Sequence, residues 1–130
     1  MTIKIEIKPT TYKATIGSYG SFDIAPLGAG AEAEMRIALR DVDEATKKTE
    51  KYSDLIEREK NGEKLDKESE EYKACLEALN AAAEKLEYAN QISLEKLKGV
   101  FKGEKVDELF NDLTLGQLFD IHRRATKGEQ

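Results

Sequence analysis

Apolar and charged residues alternate strictly through "TIKIEIK", residues 2–8, with Ile3, Ile5 and Ile7 on one side and Lys4, Glu6 and Lys8 on the other. That two-residue period predicts a half-buried strand, ended by Pro9. The following "TYKATIGSYGSFDIA" predicts one or two further strands, around residues 12–16 and 21–25, with Gly17 and Gly20 marking the turn between them. An isolated hairpin is marginally stable. A β head over residues 1–27 must therefore pack on helices, on another subunit, or on both.

From residue 31 to about residue 60 the period changes. Met35, Ala38, Val42, Ala45, Thr49, Tyr52 and Ile56 recur at alternating spacings of three and four, which lays them along one stripe of a helix. Asn61 and Gly62 supply a C-cap. Asp66 then predicts an N-cap, with Glu68, Glu70 and Glu71 well placed in the first turn of a second helix. Its stripe is Tyr72, Leu76, Leu79, Ala83 and Leu86, and Ile92, Leu94, Leu97 and Phe101 carry apolar surface on to about residue 102. A short loop between two long amphipathic helices reads as an antiparallel αα-hairpin over residues 31–102. Thirty helical residues span ~45 Å, against a radius of gyration of ~14 Å for a compact chain of this length. The hairpin is expected to project, with Asn61 and Gly62 at its tip.

Two shorter helices close the chain, over residues 104–127. The first places Val106, Leu109, Phe110 and Leu113 together. The second starts on Thr114 as N-cap, presents Leu115, Leu118, Phe119 and Ile121, and ends on Arg123, Arg124, Lys127 and Gly128. With Ile3, Ile5, Ile7 and Phe22 these residues are expected to form the main core. The fold class is α+β, mostly α, in a single domain: a small N-terminal β head, a long antiparallel αα-hairpin, and two short C-terminal helices packing on the head. The last residues, "KGEQ", are expected to fray.

Composition sharpens this picture. Charged residues make up 36% of the 130, well above the ~25% of an average domain, as long helices with much of their circumference in water require. The net charge is only −5, from 26 acids and 21 bases. That leaves no basic field for nucleic acid and argues against a disordered polyanion. The single Cys75 cannot form an internal disulfide, and no zinc-ligand spacing exists. No run of about 18 apolar residues predicts a membrane span, and the opening "MTIKIEIKP" lacks the apolar stretch of a signal peptide. The expectation is a cytoplasmic protein that binds neither nucleic acid nor membrane.

Candidate chemistry is sparse. Gly28, Gly30 and Ala33 fit the G-x-G-x-x-G/A pattern of a dinucleotide loop. That loop needs a second parallel strand, and a helix follows instead; Glu32 and Glu34 already occupy the first turn where a pyrophosphate would sit. The segment reads as a joint into the helix. His122, the only histidine, lies beside Arg123 and Arg124 near a helix end, where a surface or dipole-facing position is expected. Cys75 neighbours Leu76 and Leu79 and reads as packing. The acids Asp41, Asp43 and Glu44, and Asp66, Glu68, Glu70 and Glu71, lack the glycine-centred loop of an EF-hand and read as solvated helix faces. No catalytic, cofactor-binding or metal-binding residue is assigned, and no cofactor is expected. Tyr52, Leu55, Ile56, Leu65 and Tyr72 stand near the distal end of the hairpin, with Leu55 widening the stripe. They are the candidate partner-binding residues.

The opening "MTIKIEIKPTTYKATIGSYGSFDIAPLGAGAEAEMRIALRDVDE" and the ending "VDELFNDLTLGQLFDIHRRATKG" resemble products of phage and prophage tail modules. In particular, the chain is similar to the small tail-assembly chaperones encoded between the major tail protein and the tape-measure protein of siphophages. The resemblance concerns organisation over most of the length and rests on no invariant motif. It implies a non-enzymatic protein of the host cytoplasm that coats the helical tape-measure protein, recruits tail subunits and associates weakly with itself. The alternatives are a generic coiled-coil adaptor or self-assembling structural subunit and, third, a carboxylate-based enzyme.

Overall fold

The computed structural model describes residues 1–7 and 10–128. The chain forms two compact units. Residues 1–32 and 93–130 make the first, and residues 33–92 the second.

In the first unit, β1 (Tyr12–Thr15) and β2 (Ser21–Ile24) form the expected hairpin, pairing Tyr12 with Ile24 and Thr15 with Ser21. Gly17 and Gly20 have φ of +46° and +88°, which L side chains rarely adopt. Between them the chain makes a 3₁₀ turn over Gly17–Tyr19. A short third strand, β3 (Phe101–Lys102), pairs antiparallel with the other side of β2, so the sheet order is β1-β2-β3. Two helices follow, α4 (Val106–Asp112) and α5 (Leu115–Lys127), and α5 packs on β1 and β2.

The core of this unit is Phe22, Ile24, Leu97, Phe101, Leu109, Phe110 and Leu118, with Leu113, Leu115, Phe119 and Ile121 packed against it. The tail helices therefore do cover the β head, as their density of apolar residues requires. Phe101 stands edge-on to both Phe22 and Phe110, at centroid distances of 6.4 and 5.1 Å, the geometry that aromatic quadrupoles favour. Phe101 is a strand residue, whereas its spacing from Leu97 suggests a continuing helix. At the far end of the 3₁₀ turn the Tyr19 hydroxyl donates to Asp112 Oδ2 at 2.9 Å, tying the hairpin to α4.

One expectation fails in this unit. Residues 2–7 form no strand, and Ile3, Ile5 and Ile7 lie 77%, 76% and 83% exposed, outside the core. Alternation specifies which side of a strand is apolar but names no neighbour for its backbone. Within one chain β3 takes the open side of β2, and among the described residues no strand lies on the open side of β1. The remainder of that predicted strand, Lys8 and the terminating Pro9, lies outside the described residues, as do Glu129 and Gln130 of the tail expected to fray.

The capping signals of α5 are met in full. The Thr114 hydroxyl accepts from the Gln117 N–H at 3.1 Å, and the Gln117 side chain accepts from the Thr114 N–H at 2.9 Å. Gly128 closes the helix at φ +70°. Replacing Thr114 with Ala is expected to cost about 1 kcal/mol, read as a lower midpoint in denaturant with an unchanged slope.

In the second unit, the apolar stripe predicted from residue 35 to 56 is the sheltered one. Met35 and Ala38 are buried, and Val42, Ala45, Thr49, Tyr52 and Ile56 are half-buried. It does not run on a single helix. α1 (Ala29–Lys47) gives way to a 3₁₀ turn at Glu50–Tyr52 before α2 (Ser53–Lys60) begins. At the break the Thr49 hydroxyl donates to the Thr46 carbonyl at 2.7 Å, the local competition that weakens helix at threonine. After α2, Gly62 takes φ +81°, with Gly62 and Glu63 N–H groups donating to the Glu59 and Arg58 carbonyls, a Schellman cap. The next helix, α3 (Glu70–Gly99), starts later than Asp66 suggests. Asp66 instead accepts from the Glu68 N–H, and Ser69 caps α3 by accepting from the Tyr72 N–H at 3.2 Å.

Candidate interaction surface

The structure brings the five distal residues together, and they face one another. Leu55 of α2 packs on Tyr72 and Cys75 of α3, all three buried, and Tyr52, Ile56 and Leu65 close over them half-buried. Arg58 holds the connection by donating to both carboxylate oxygens of Glu63, at 3.0 and 2.8 Å. The hydrogen bond from Arg58 keeps the Glu63 carboxyl below its ordinary range. The Tyr72 hydroxyl donates to Glu59 at 3.4 Å, and burial raises its pKa, with Glu59 adding to the shift. Burial likewise pushes the Cys75 thiol up, and Glu59 and Glu71 push it the same way. A thiol held protonated is a poor nucleophile, so Cys75 is packing. This small core accounts for the apolar character of all five residues without any partner.

Unmatched apolar surface lies elsewhere on α3. The line it turns inward within the second unit is Tyr72, Cys75, Ala78, Ala82 and Ala89, mostly small residues. Leu76, Leu79 and Leu86, predicted to be that inward stripe, are 41%, 36% and 48% exposed, and Ala83 is exposed with them. At roughly 100° per residue, the leucines form a second line on the flank of the buried one. With Ala83 included, the line 76, 79, 83, 86 steps by three, four and three, the spacing of a coiled-coil seam. On α1, Ile37 and Leu39 are exposed as well. Sequence periodicity found the leucine line and took it for the core, because leucine outranks alanine on any hydrophobic scale. The signal it passed over was the run of small residues one step round the helix, which permits close approach of a neighbouring backbone.

The glycine segment is a helix start. α1 begins at Ala29, two residues earlier than expected, and the Glu32 N–H donates to the Gly28 carbonyl at 3.0 Å. The residues just before it are pinned by His122. Its Nε2 lies 2.9 Å from the Ala25 carbonyl, which can only accept, so Nε2 carries the proton. His122 is buried, with its ring tilted against Phe101 at 6.2 Å. The expected surface position is thus wrong. The spacing that reveals it is Leu118 four residues before and Ala125 three after, both turned to the core. A groove of about 540 Å³ opens beside this contact, lined by Pro26, Leu27, Phe119 and Thr126 among others. Its one aspartate, Asp120, is bound to Arg123 at 2.7 Å and Arg124 at 3.3 Å, and the Arg123 hydrogen bond holds that carboxyl below its usual range. A carboxylate so engaged is poorly placed as a general base.

Among the described residues no three His, Cys, Asp or Glu side chains are grouped to hold a metal ion. No helix among them is long and apolar enough to cross a membrane. Comparison with protein-family models, with curated proteins and with solved structures finds no match.

Proposed function

We propose that this chain works by protein–protein contact, offering the leucine line of α3 to a helical partner, in the manner of a tail-assembly chaperone on a tape-measure protein. The observation that carries the reading is the reversal on α3. Small residues are turned inward while Leu76, Leu79 and Leu86 stand exposed at seam spacing. Exposed leucines at that spacing are unfavourable in water and suit one ligand geometry, another amphipathic helix whose own line interdigitates with them. The surrounding charge keeps such a face soluble until it is covered. The distal cluster around Leu55 and Tyr72 supports α3 from one end and is not itself the contact. No enzymatic step belongs to this reading.

The test is co-expression with the long helical protein encoded beside it in a tail-module locus, followed by co-purification. The Leu79→Glu/Leu86→Glu double variant should fold normally and lose at least about 100-fold in affinity, since two charges would enter a desolvated seam. Undiminished binding by a folded double variant, or a locus without virion genes, removes the proposal. Binding that follows Tyr52→Ser and Ile56→Ser instead returns the contact to the distal cluster.

A further inference from the structure

We propose that residues 3–7 of one copy add as a fourth strand to the open edge of β1 in a second copy, and that the exchange is reciprocal. Three observations converge on this.

The segment has the period of a half-buried strand, yet Ile3, Ile5 and Ile7 stand almost fully exposed. Among the described residues no strand pairs with β1 on the side away from β2, and an open edge is a template for a further strand. This edge also offers the right two environments. Tyr12, Ala14 and Ile16 are half-buried, Lys13 and Thr15 are exposed, and a groove of about 500 Å³ runs between β1 and α5, with Ala14, Ile16, Ile121 and Ala125 as its apolar wall and Lys13, Thr15, Arg124 and Gly128 along its rim. An added strand thus needs one apolar and one polar face, and residues 3–7 have both.

Faces and charges together select a register. Antiparallel pairing that sets Ile5 opposite Ala14 sets Ile3 opposite Ile16 and Ile7 opposite Tyr12, all on the groove side. The same register sets Glu6 opposite Lys13 and Lys4 opposite Thr15 on the water side, so one cross-strand pair is of opposite charge. A shift by one residue would turn all three isoleucines to water.

The occupant is a second copy of this chain. The segment and the edge belong to the same sequence, so two molecules can each donate and accept, and the contact closes as a two-fold dimer. Folding back onto the molecule's own edge would require a reversal within Lys8, Pro9, Thr10 and Thr11. That stretch holds the turn-former Pro9 but none of the glycine, asparagine or aspartate residues that take the positive φ of the commonest tight hairpins. In the single chain the isoleucines remain in solvent.

Light scattering across a concentration series, with the full chain, tests the exchange. A dimer is expected, and Ile3→Ser/Ile5→Ser should weaken it by about 100-fold while leaving the melting curve nearly unchanged at concentrations where the chain is monomeric, because neither residue is in the core. In an equal mixture of two differently labelled copies, nuclear Overhauser contacts should link the Ile5 methyl of one to the Ala14 methyl of the other. A monomer at every concentration overturns the proposal, as do contacts confined to one copy or a dimer indifferent to the double substitution. The Leu79→Glu/Leu86→Glu variant should stay dimeric, so loss of the helical partner and loss of the exchange are separate results.

Discussion

Replacing Leu118 with Ala is expected to cost about 3 kcal/mol. The side chain is fully buried and sits on the face of α5 that packs on the sheet, in the cluster with Phe22, Ile24, Leu97 and Leu109. Burying a leucine removes it from water, and truncating it loses that transfer term and leaves a cavity as well; measured losses for such changes run from about 2 to 5 kcal/mol. The upper end applies where neighbours cannot collapse. The cluster here includes Phe22 and Phe110, both set edge-on to Phe101. Chemical denaturation should show the loss as a lower midpoint, and amide exchange should accelerate in α5, β1 and β2. The matching truncation Leu79→Ala, on an exposed leucine, should cost well under 1 kcal/mol. Equal losses at the two sites would mean that the leucine line of α3 is core, and would remove the basis of the proposed function.

That contrast shows where the sequence was legible. Most of the tail was legible, since Thr114 and Gly128 are chemically specific caps and the apolar positions between them have one period and one possible face; buried His122 is the exception. The hairpin of β1 and β2 was legible for the same reason, through two glycines whose backbone few other residues would accept. Local chemistry determined these elements. Where the outcome depended on a partner element, pattern alone misled. Residues 2–7 have a strand's alternation, but pairing is a tertiary choice, and a two-residue strand from the other end of the unit occupies the second edge of β2. Asp66 and Ser69 are both good caps, and the helix starts from the later one because Asp66 is engaged in its own turn.

The candidate surface was only half legible. Its leucines were found, and their exposure was not, because an amphipathic helix with two adjacent lines can turn either one inward. Hydrophobicity favours the leucine line. The structure shelters Ala78, Ala82 and Ala89 more than the leucines and leaves Leu76, Leu79 and Leu86 in water. An exchanged strand at β1 and a covered seam on α3 are two ways in which assembly would offset costs that the single chain leaves standing.

The second large effect is expected at Gly103, just after β3. A methyl group there would lie 2.5 and 2.7 Å from Cδ1 and Cε1 of Phe22 and 2.9 Å from the Ser21 carbonyl oxygen, closer than van der Waals surfaces allow. Phe22 cannot swing aside, being buried to within 1% and wedged against Phe101. The carbonyl belongs to the β2 backbone, where Ser21 pairs with Thr15 of β1 and the neighbouring Asp23 and Ile24 pair with β3. Gly103→Ala must therefore push β3 away from β2 or distort the aromatic cluster, at a cost of about 2–3 kcal/mol typical of overpacking. Gly116 is the control. It lies in the first turn of α5 with nothing within 4 Å of the added methyl, and Gly→Ala at an unstrained helical site stabilises by roughly 0.5–1 kcal/mol. The two variants make the same chemical change and should move the melting temperature in opposite directions. If Gly103→Ala also stabilises, then the β3 connection gives way freely. The sheet would then have two yielding edges, and the selection of β1 as the docking edge would lose its structural ground.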